Sequence, residues 1–206
     1  MFIHVAEDSG LIDKLGEWVL HDTLRQLGTW PAEHRNKVVV SVNASVRQLR
    51  DKEHFLYVLD AALHKYNICP SSLEIEITET IWMGDNDAAI KTLHALRERG
   101  VSVAIDDFGT GYSNIAYLQN FPVDKLKFDR SFVVAGQESL GGKEILRAMV
   151  QLAKALNMDV LAECVETVEQ EQMLIDAGVE KMQGFLYAKP MSESDFLAGL
   201  MSQPKR

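Results

Sequence analysis

Cysteine is scarce in this chain, with two, Cys69 and Cys164, among 206 residues. Two cysteines cannot build a disulfide framework, so a reducing compartment is the default. Basic residues are in deficit. There are 21 Lys and Arg against 30 Asp and Glu, for a net charge of −9. That balance argues against DNA or RNA binding by charge alone. An anionic ligand would need a cation to mediate its binding. No apolar run approaches the ~20 residues of a membrane helix. The opening MFIHVAEDSG lacks a basic segment followed by an apolar one, so no secretory signal is expected. The expected location is the cytoplasm, or the cytoplasmic part of a larger, membrane-anchored protein. Linkers and low-complexity tracts are missing too, so residues 1–206 read as one domain. Hydrophobic residues at 47% and charged ones at 25% suit a globular domain. A chain of this size buries a full core without staples.

Two kinds of segment alternate along it. Short stretches rich in β-branched residues lie at 37–44, 73–79, 101–108, 125–129, 159–165 and 181–187. Between them run longer segments of helical periodicity, at 10–30, 46–66, 86–99, 142–156, 168–177 and 192–201. The first of these places Leu11, Leu15, Val19 and Leu24 at roughly helical spacing. Gly100 and Gly178 stand where helix C-caps belong. Strand–helix–strand alternation with short connections means βαβ units and a parallel sheet. Six strands are expected. The first residues read as the lead-in to a helix, with no opening strand.

Parallel strands are buried on both faces and should be almost continuously apolar. Several here carry polar groups at or near their C-terminal ends: Asn43; Glu74, Glu76 and Glu79; Asp106 and Asp107; Lys127 and Asp129; Glu163 and Glu166; Gln183. Alternation puts Glu74 and Glu76 on one face, and Lys127 and Asp129 on one face. In a barrel these ends converge on one rim, where active sites are found. Carboxylates gathered there repel one another unless cations neutralise them. None of the six histidines falls in these strand ends. Oxygen ligands alone select Mg²⁺, Mn²⁺ or Ca²⁺ over zinc. Adjacent Asp106 and Asp107 suit a pair of metals, the standard device for in-line attack on a phosphodiester. Glu74 reads as an ion-pair or edge residue rather than a ligand. The reading from residues alone is a dinuclear-metal hydrolase on a parallel α/β barrel.

The segments VNAS (42–45), EITE (76–79), DDFGTGYSN (106–114), LKFDRSFV (126–133), AECVET (162–167) and QGFLYAKPM (183–191) resemble the EAL-domain family. FIHVAEDSGLI (2–12) and GEWVL (16–20) are similar to that family's first helix region. The family comprises bacterial phosphodiesterases that cleave cyclic di-GMP. The resemblance implies a TIM-like (β/α) barrel and two divalent metals, Mg²⁺ or Mn²⁺, with Ca²⁺ inhibitory. It implies hydrolysis of one phosphodiester of cyclic di-GMP to linear 5′-pGpG.

Carried over by resemblance, Asn43, Glu76 and Asp106 are ligands of the first metal. Asp106 bridges, and Asp107 lies on the second. Glu163 belongs to the metal site, orients the attacking water and acts as base. Lys127 contacts that water or the reacting phosphate. Asp129, Glu166 and Gln183 line the site near substrate. Glu79 anchors the loop made of Phe108, Gly109, Thr110, Gly111, Tyr112 and Ser113. In the family that loop couples metal binding to dimerisation, so a homodimer is expected. An upstream sensor or diguanylate-cyclase-type domain in the full-length protein is a further implied partner.

Two departures stand out. The chain has no Glu-Ala-Leu tripeptide, whose glutamate is a first-metal ligand in the family. The strands that carry it are also absent. The expectation is therefore a barrel of about six strands, N-terminally incomplete, with an open edge prone to pairing. A partial gene product is the favoured origin. The functional alternative is a catalytically impaired cyclic di-GMP-binding or regulatory module. A metal-dependent enolase-like barrel is a rival that does not account for DDFGTGYS. The second departure is Cys164, where the family usually has glycine.

Overall fold

A computed structural model describes residues 2–82, 86–109, 118–119 and 121–202. Helices α1 (Phe2–Ser9), α2 (Leu11–Thr29) and α3 (Ala32–Arg35) lead into strand β1 (Val40–Asn43). Helices α4 (Val46–Arg50) and α5 (Lys52–Tyr66) cross to β2 (Leu73–Thr78), and α6 (Asp87–Glu98) crosses to β3 (Ser102–Phe108). Strand β4 (Lys125–Phe128) is followed by α7 (Arg130–Glu138) and α8 (Leu140–Ala155). Then come β5 (Asp159–Ala162), α9 (Val168–Ala177), β6 (Lys181–Met182) and α10 (Glu193–Ser202).

The six strands among the described residues are all parallel, and their order in space is their order in sequence. A sheet wound in one direction puts every crossover helix on one face, as in a TIM-type barrel. A doubly wound sheet would reverse at a switch point, and this one does not. The six strands form a half-barrel whose edges are β1 and β6.

The register sorts the side chains. Val42, Ile75 and Val103 align across β1–β3, and Ile105, Leu126 and Val160 align across β3–β5. All six are buried in one core with Leu24, Leu59, Leu93 and Val150 of the surrounding helices. The opposite, concave face takes the alternating polar positions: Glu74, Glu76, Asp106, Lys125 and Lys127. This answers why strands of a parallel sheet carry charge. One face is paid out in hydrophobic burial against helices, and the other is reserved for chemistry.

Local signals explain the boundaries. Ser45 with Gln48, and Thr167 with Gln170, form reciprocal capping boxes at α4 and α9. Asp51, Asp129 and Ser139 cap α5, α7 and α8. Gly178 ends α9 at φ 88°. The expected strand at 181–187 shrinks to two residues. Gly184 lies against the Val165 backbone so closely that a Cβ would meet Val165 O at 2.0 Å. The chain turns there instead of extending. Helix α7 has no counterpart among the expected helices, because LKFDRSFV reads as a motif before it reads as a cap.

Helix α2 packs on α5, and His54 Nε2 lies 2.7 Å from Glu17 Oε1 across that contact. The Glu17 hydrogen bond holds His54 above its usual 6.5. A raised imidazole stabilises the fold below pH 6.5 and loses that contribution as pH rises through the raised value. The pair is solvent-exposed, so the expected loss between about pH 6 and 8 is a few tenths of a kcal/mol. Urea unfolding of the parent and of His54→Gln checks this. The variant should lack that part of the pH dependence.

Candidate active site at the strand ends

The concave face ends in a local fault in the sheet. Ile105 pairs with Leu126, and the next paired residues are Phe108 and Phe128. Three steps on β3 match two on β4, so β3 carries one extra residue, a bulge. Asp107 takes that irregularity with φ 52°, in the left-handed region. Strict alternation would aim Asp107 away from Asp106. The bulge brings both carboxylates to one rim. Carboxylate oxygens of Asp106, Asp107 and Glu163 all lie within 4.8 Å of one another.

Lys127 sits among them. Its Nζ lies 2.9 Å from Glu76 Oε1, 2.8 Å from Asp106 Oδ1 and 2.8 Å from Glu163 Oε1. Lys127 is 6% exposed and Glu76 7%. Burial pushes the Lys127 amine down, but the three carboxylates outweigh it and hold the amine well above its ordinary value. Burial is the main reason Glu163 is pushed up, with Lys127 opposing and Asp106 and Glu76 adding. Asp107 is also pushed up, by burial and by the neighbouring Asp106 and Asp129 carboxylates. One ammonium does not neutralise this cluster.

The donor set fits divalent cations. It is made of oxygens alone. Asp106 Oδ1 is buried, and its one polar neighbour in the ion-pair cluster is Lys127 Nζ at 2.8 Å, which leaves room in its oxygen coordination for a cation. Asn43 aligns with Glu76 in the register of β1 and β2 and is exposed at the free edge of β1. A cavity of about 780 Å³ opens beside Asn43, with Leu20, Arg47, His54 and Phe55 in its walls.

The remaining expected residues fall around this centre. Asp129 caps α7, accepting from the Ser131 backbone N–H at 2.8 Å. Burial raises its carboxyl, but backbone and hydroxyl donors of Ser131 and the Arg130 amide bring it below the usual value. Glu163 extends β5, its N–H donating to Phe128 O at 3.0 Å. Glu166 is exposed, and its N–H donates to Gln170 Oε1 at 2.6 Å. Gln183 is exposed and tied by its backbone to Ala162 and Val165. Glu79 is buried, and its Oε1 accepts from the Gly109 N–H. Phe108 is buried and stacks on Phe128 and Phe132. Thr110, Gly111, Tyr112 and Ser113 lie outside the described residues.

One partner residue escaped the sequence reading. Glu74 pairs with Lys125 at 2.6 Å beneath the cluster, and Lys125 had no assigned part. The even spacing of Lys125 and Lys127 was the available signal. Cys164 takes φ 57°, a conformation that favours glycine. A glycine there, which the resemblance implies, would hold that conformation without strain.

The EAL domain family model matches residues 1–190. The chain belongs to the EAL domain family. It is 38% identical over 190 residues to cyclic di-GMP phosphodiesterase PdeR of Escherichia coli, covering 92% of this chain and 28% of PdeR. It is 37% identical to the bifunctional diguanylate cyclase/cyclic di-GMP phosphodiesterase MucR of Pseudomonas aeruginosa, covering 97% of this chain and 29% of MucR. A MucR phosphodiesterase structure in complex with cyclic di-GMP superposes with a TM-score of 0.85 and 36% identity. It covers 95% of this chain and 78% of that one. The EAL domain of Mycobacterium smegmatis DcpA gives 0.84 and 36%, covering 92% and 85%. The chain thus spans between a quarter and a third of these curated relatives. The half-barrel is part of the TIM-like fold of the family.

Gly109 is a constrained joint at this EAL site. It adopts φ 98°, and a Cβ there would fall 2.0 Å from the Phe132 ring. Gly109→Ala is expected to destabilise the domain by about 2 kcal/mol through overpacking and backbone strain. Chemical denaturation measures it. Gly178→Ala, with room for a Cβ at 3.4 Å or more, should lose less.

Proposed function

We propose that this chain hydrolyses cyclic di-GMP to linear 5′-pGpG. The observation that carries this is Lys127 held by Glu76, Asp106 and Glu163 beside the Asp106–Asp107 bulge. The named activities of PdeR and MucR support the same substrate. Asn43, Glu76, Asp106, Asp107 and Glu163 are the residues to hold Mg²⁺ or Mn²⁺, with Ca²⁺ inhibitory. Two such cations, when bound, supply the Lewis acidity and positive charge that attack on a phosphodiester needs.

The protein groups divide the remaining work. Lys127, ion-paired with Glu76, Asp106 and Glu163, takes the part of a positive charge rather than of a base. It presents a fixed positive charge to the reacting phosphate. Glu163, pushed up by burial, is the better proton acceptor and takes the proton of the attacking water. Asp129, Glu166 and Gln183 border the site and orient the nucleotide. Glu79 holds the start of the loop after β3 through Gly109, and that loop couples the site to a homodimer partner.

A second reading is a binding or regulatory module with impaired catalysis. The exposure of Asn43 at the free edge of β1 favours it, since no neighbouring strand adds a ligand there among the described residues. In the longer protein, a sensor or diguanylate-cyclase domain is the expected companion, as the name of MucR illustrates. No helix among the described residues is long and apolar enough to cross a membrane. The proposed location is the cytoplasm.

Incubation of the purified chain with cyclic di-GMP and Mn²⁺, with nucleotides separated by chromatography, tests the hydrolase reading. Linear 5′-pGpG is expected, and chelator should abolish it. Glu163→Gln should lower kcat by about 10²- to 10³-fold. Binding without any product would establish the second reading instead.

A further inference from the structure

Two lysine–glutamate pairs cross the concave face on parallel diagonals. Lys127 on β4 reaches Glu76 on β2 at 2.9 Å, and Lys125 reaches Glu74 at 2.6 Å. Strand β3 lies between β2 and β4, so each lysine must pass over it. What it passes over is small. Glu74 aligns with Ser102, and both Glu76 and Lys125 align with Ala104. Ala104 is fully buried. Ser41 on β1 adds a third attachment, its hydroxyl donating to Glu74 Oε1 at 3.1 Å.

The charges of the two tiers differ. The lower tier pairs Glu74 with Lys125 and the Ser41 hydroxyl, while Asp159, in register with Lys125 on β5, has its own lysine, Lys181, at 2.6 Å. The upper tier is open, with Lys127 shared by three carboxylates and Asp107 close by. Glu74 is 3% exposed. Deprived of Lys125, it would be a buried carboxylate two residues from Glu76, and Lys127 is the other lysine of β4 on the same face. Breaking a buried pair on one side leaves such a charge to find another partner.

We propose that Lys125 and Glu74 are positioning residues. Their closed pair, laid across Ala104, keeps Glu74 from drawing Lys127 out of the Glu76–Asp106–Glu163 cluster. Neither residue touches the reacting atoms. Their effect runs through the placement of the Lys127 amine, and the kinetic part of the claim rests on the phosphodiesterase reading above.

The test uses the whole chain and three variants: Lys125→Met, Glu74→Gln, and the double variant Glu74→Gln/Lys125→Met. Lys125→Met should lower kcat about tenfold, with KM changed less than about twofold, because a displaced catalytic group slows chemistry more than binding. Glu74→Gln leaves Lys125 free to compete for Glu76 and should fall in the same direction. The double variant has no surplus buried charge and should return to within about threefold of the parent. A ¹H–¹⁵N spectrum of the lysine ammonium groups reads the same placement without turnover. The parent should show a protected Lys127 ammonium signal, shifted or lost in each single variant and regained in the double.

An unchanged kcat and an unchanged signal in the single variants would overturn the proposal. So would a double variant impaired as much as Lys125→Met. If Lys125→Met does not fold, Glu74→Gln and the double variant carry the same comparison. If the parent cleaves no cyclic di-GMP, the phosphodiesterase reading fails. The ammonium signal then decides the positioning claim alone, by the same criteria.

Discussion

One buried ammonium organises this structure. Lys127 Nζ has three donors, and three carboxylates from β2, β3 and the end of β5 surround it. Carboxylates this close repel strongly in a low-dielectric setting. The lysine makes their convergence tolerable but does not neutralise it. The surplus negative charge makes the rim a place for divalent cations. On the proposed reading, cations held there would reconcile an acidic protein with a substrate carrying two phosphates.

The topology supplies the convergence. Strands wound in one direction bring their C-terminal ends to a common rim. Helices cover one face, and the core of Val42, Ile75, Val103, Ile105 and Leu126 is complete without the other face. That leaves the concave side to polar residues. The β3 bulge then adds what alternation alone cannot, two adjacent aspartates aimed at one place. Phe108 and Gly109, just beyond the bulge, are locked by packing. Phe108 stacks on Phe128 and Phe132, and Gly109 passes the Phe132 ring with no room for a side chain.

Much of this was legible in the residues. The β-branched runs marked six strands, and carboxylates at strand ends marked one rim. DDFGTGYS marked the family. Glu74 was rightly read as an ion-pair residue, and Lys125 proved to be its partner. Three things were not legible. A bulge leaves no residue-level signature, because Asp106 and Asp107 read the same with or without it. The early end of β6 depends on Gly184 meeting the Val165 backbone, a contact between distant elements. The path of Lys125 and Lys127 over Ala104 depends on register across three strands. In each case the cause is tertiary, and a sequence states only what each strand could do by itself.

The acidic rim around Lys127 is proposed to hold a pair of divalent cations for a nucleotide phosphate. Anomalous diffraction from crystals of this chain grown with Mn²⁺ and cyclic di-GMP tests it most directly. Two manganese peaks sharing Asp106 are expected, with Asp107 on one of them and a phosphate oxygen within reach of Lys127. Saturating Mn²⁺ and nucleotide with no peak at Asp106, Asp107 or Glu163 would contradict it.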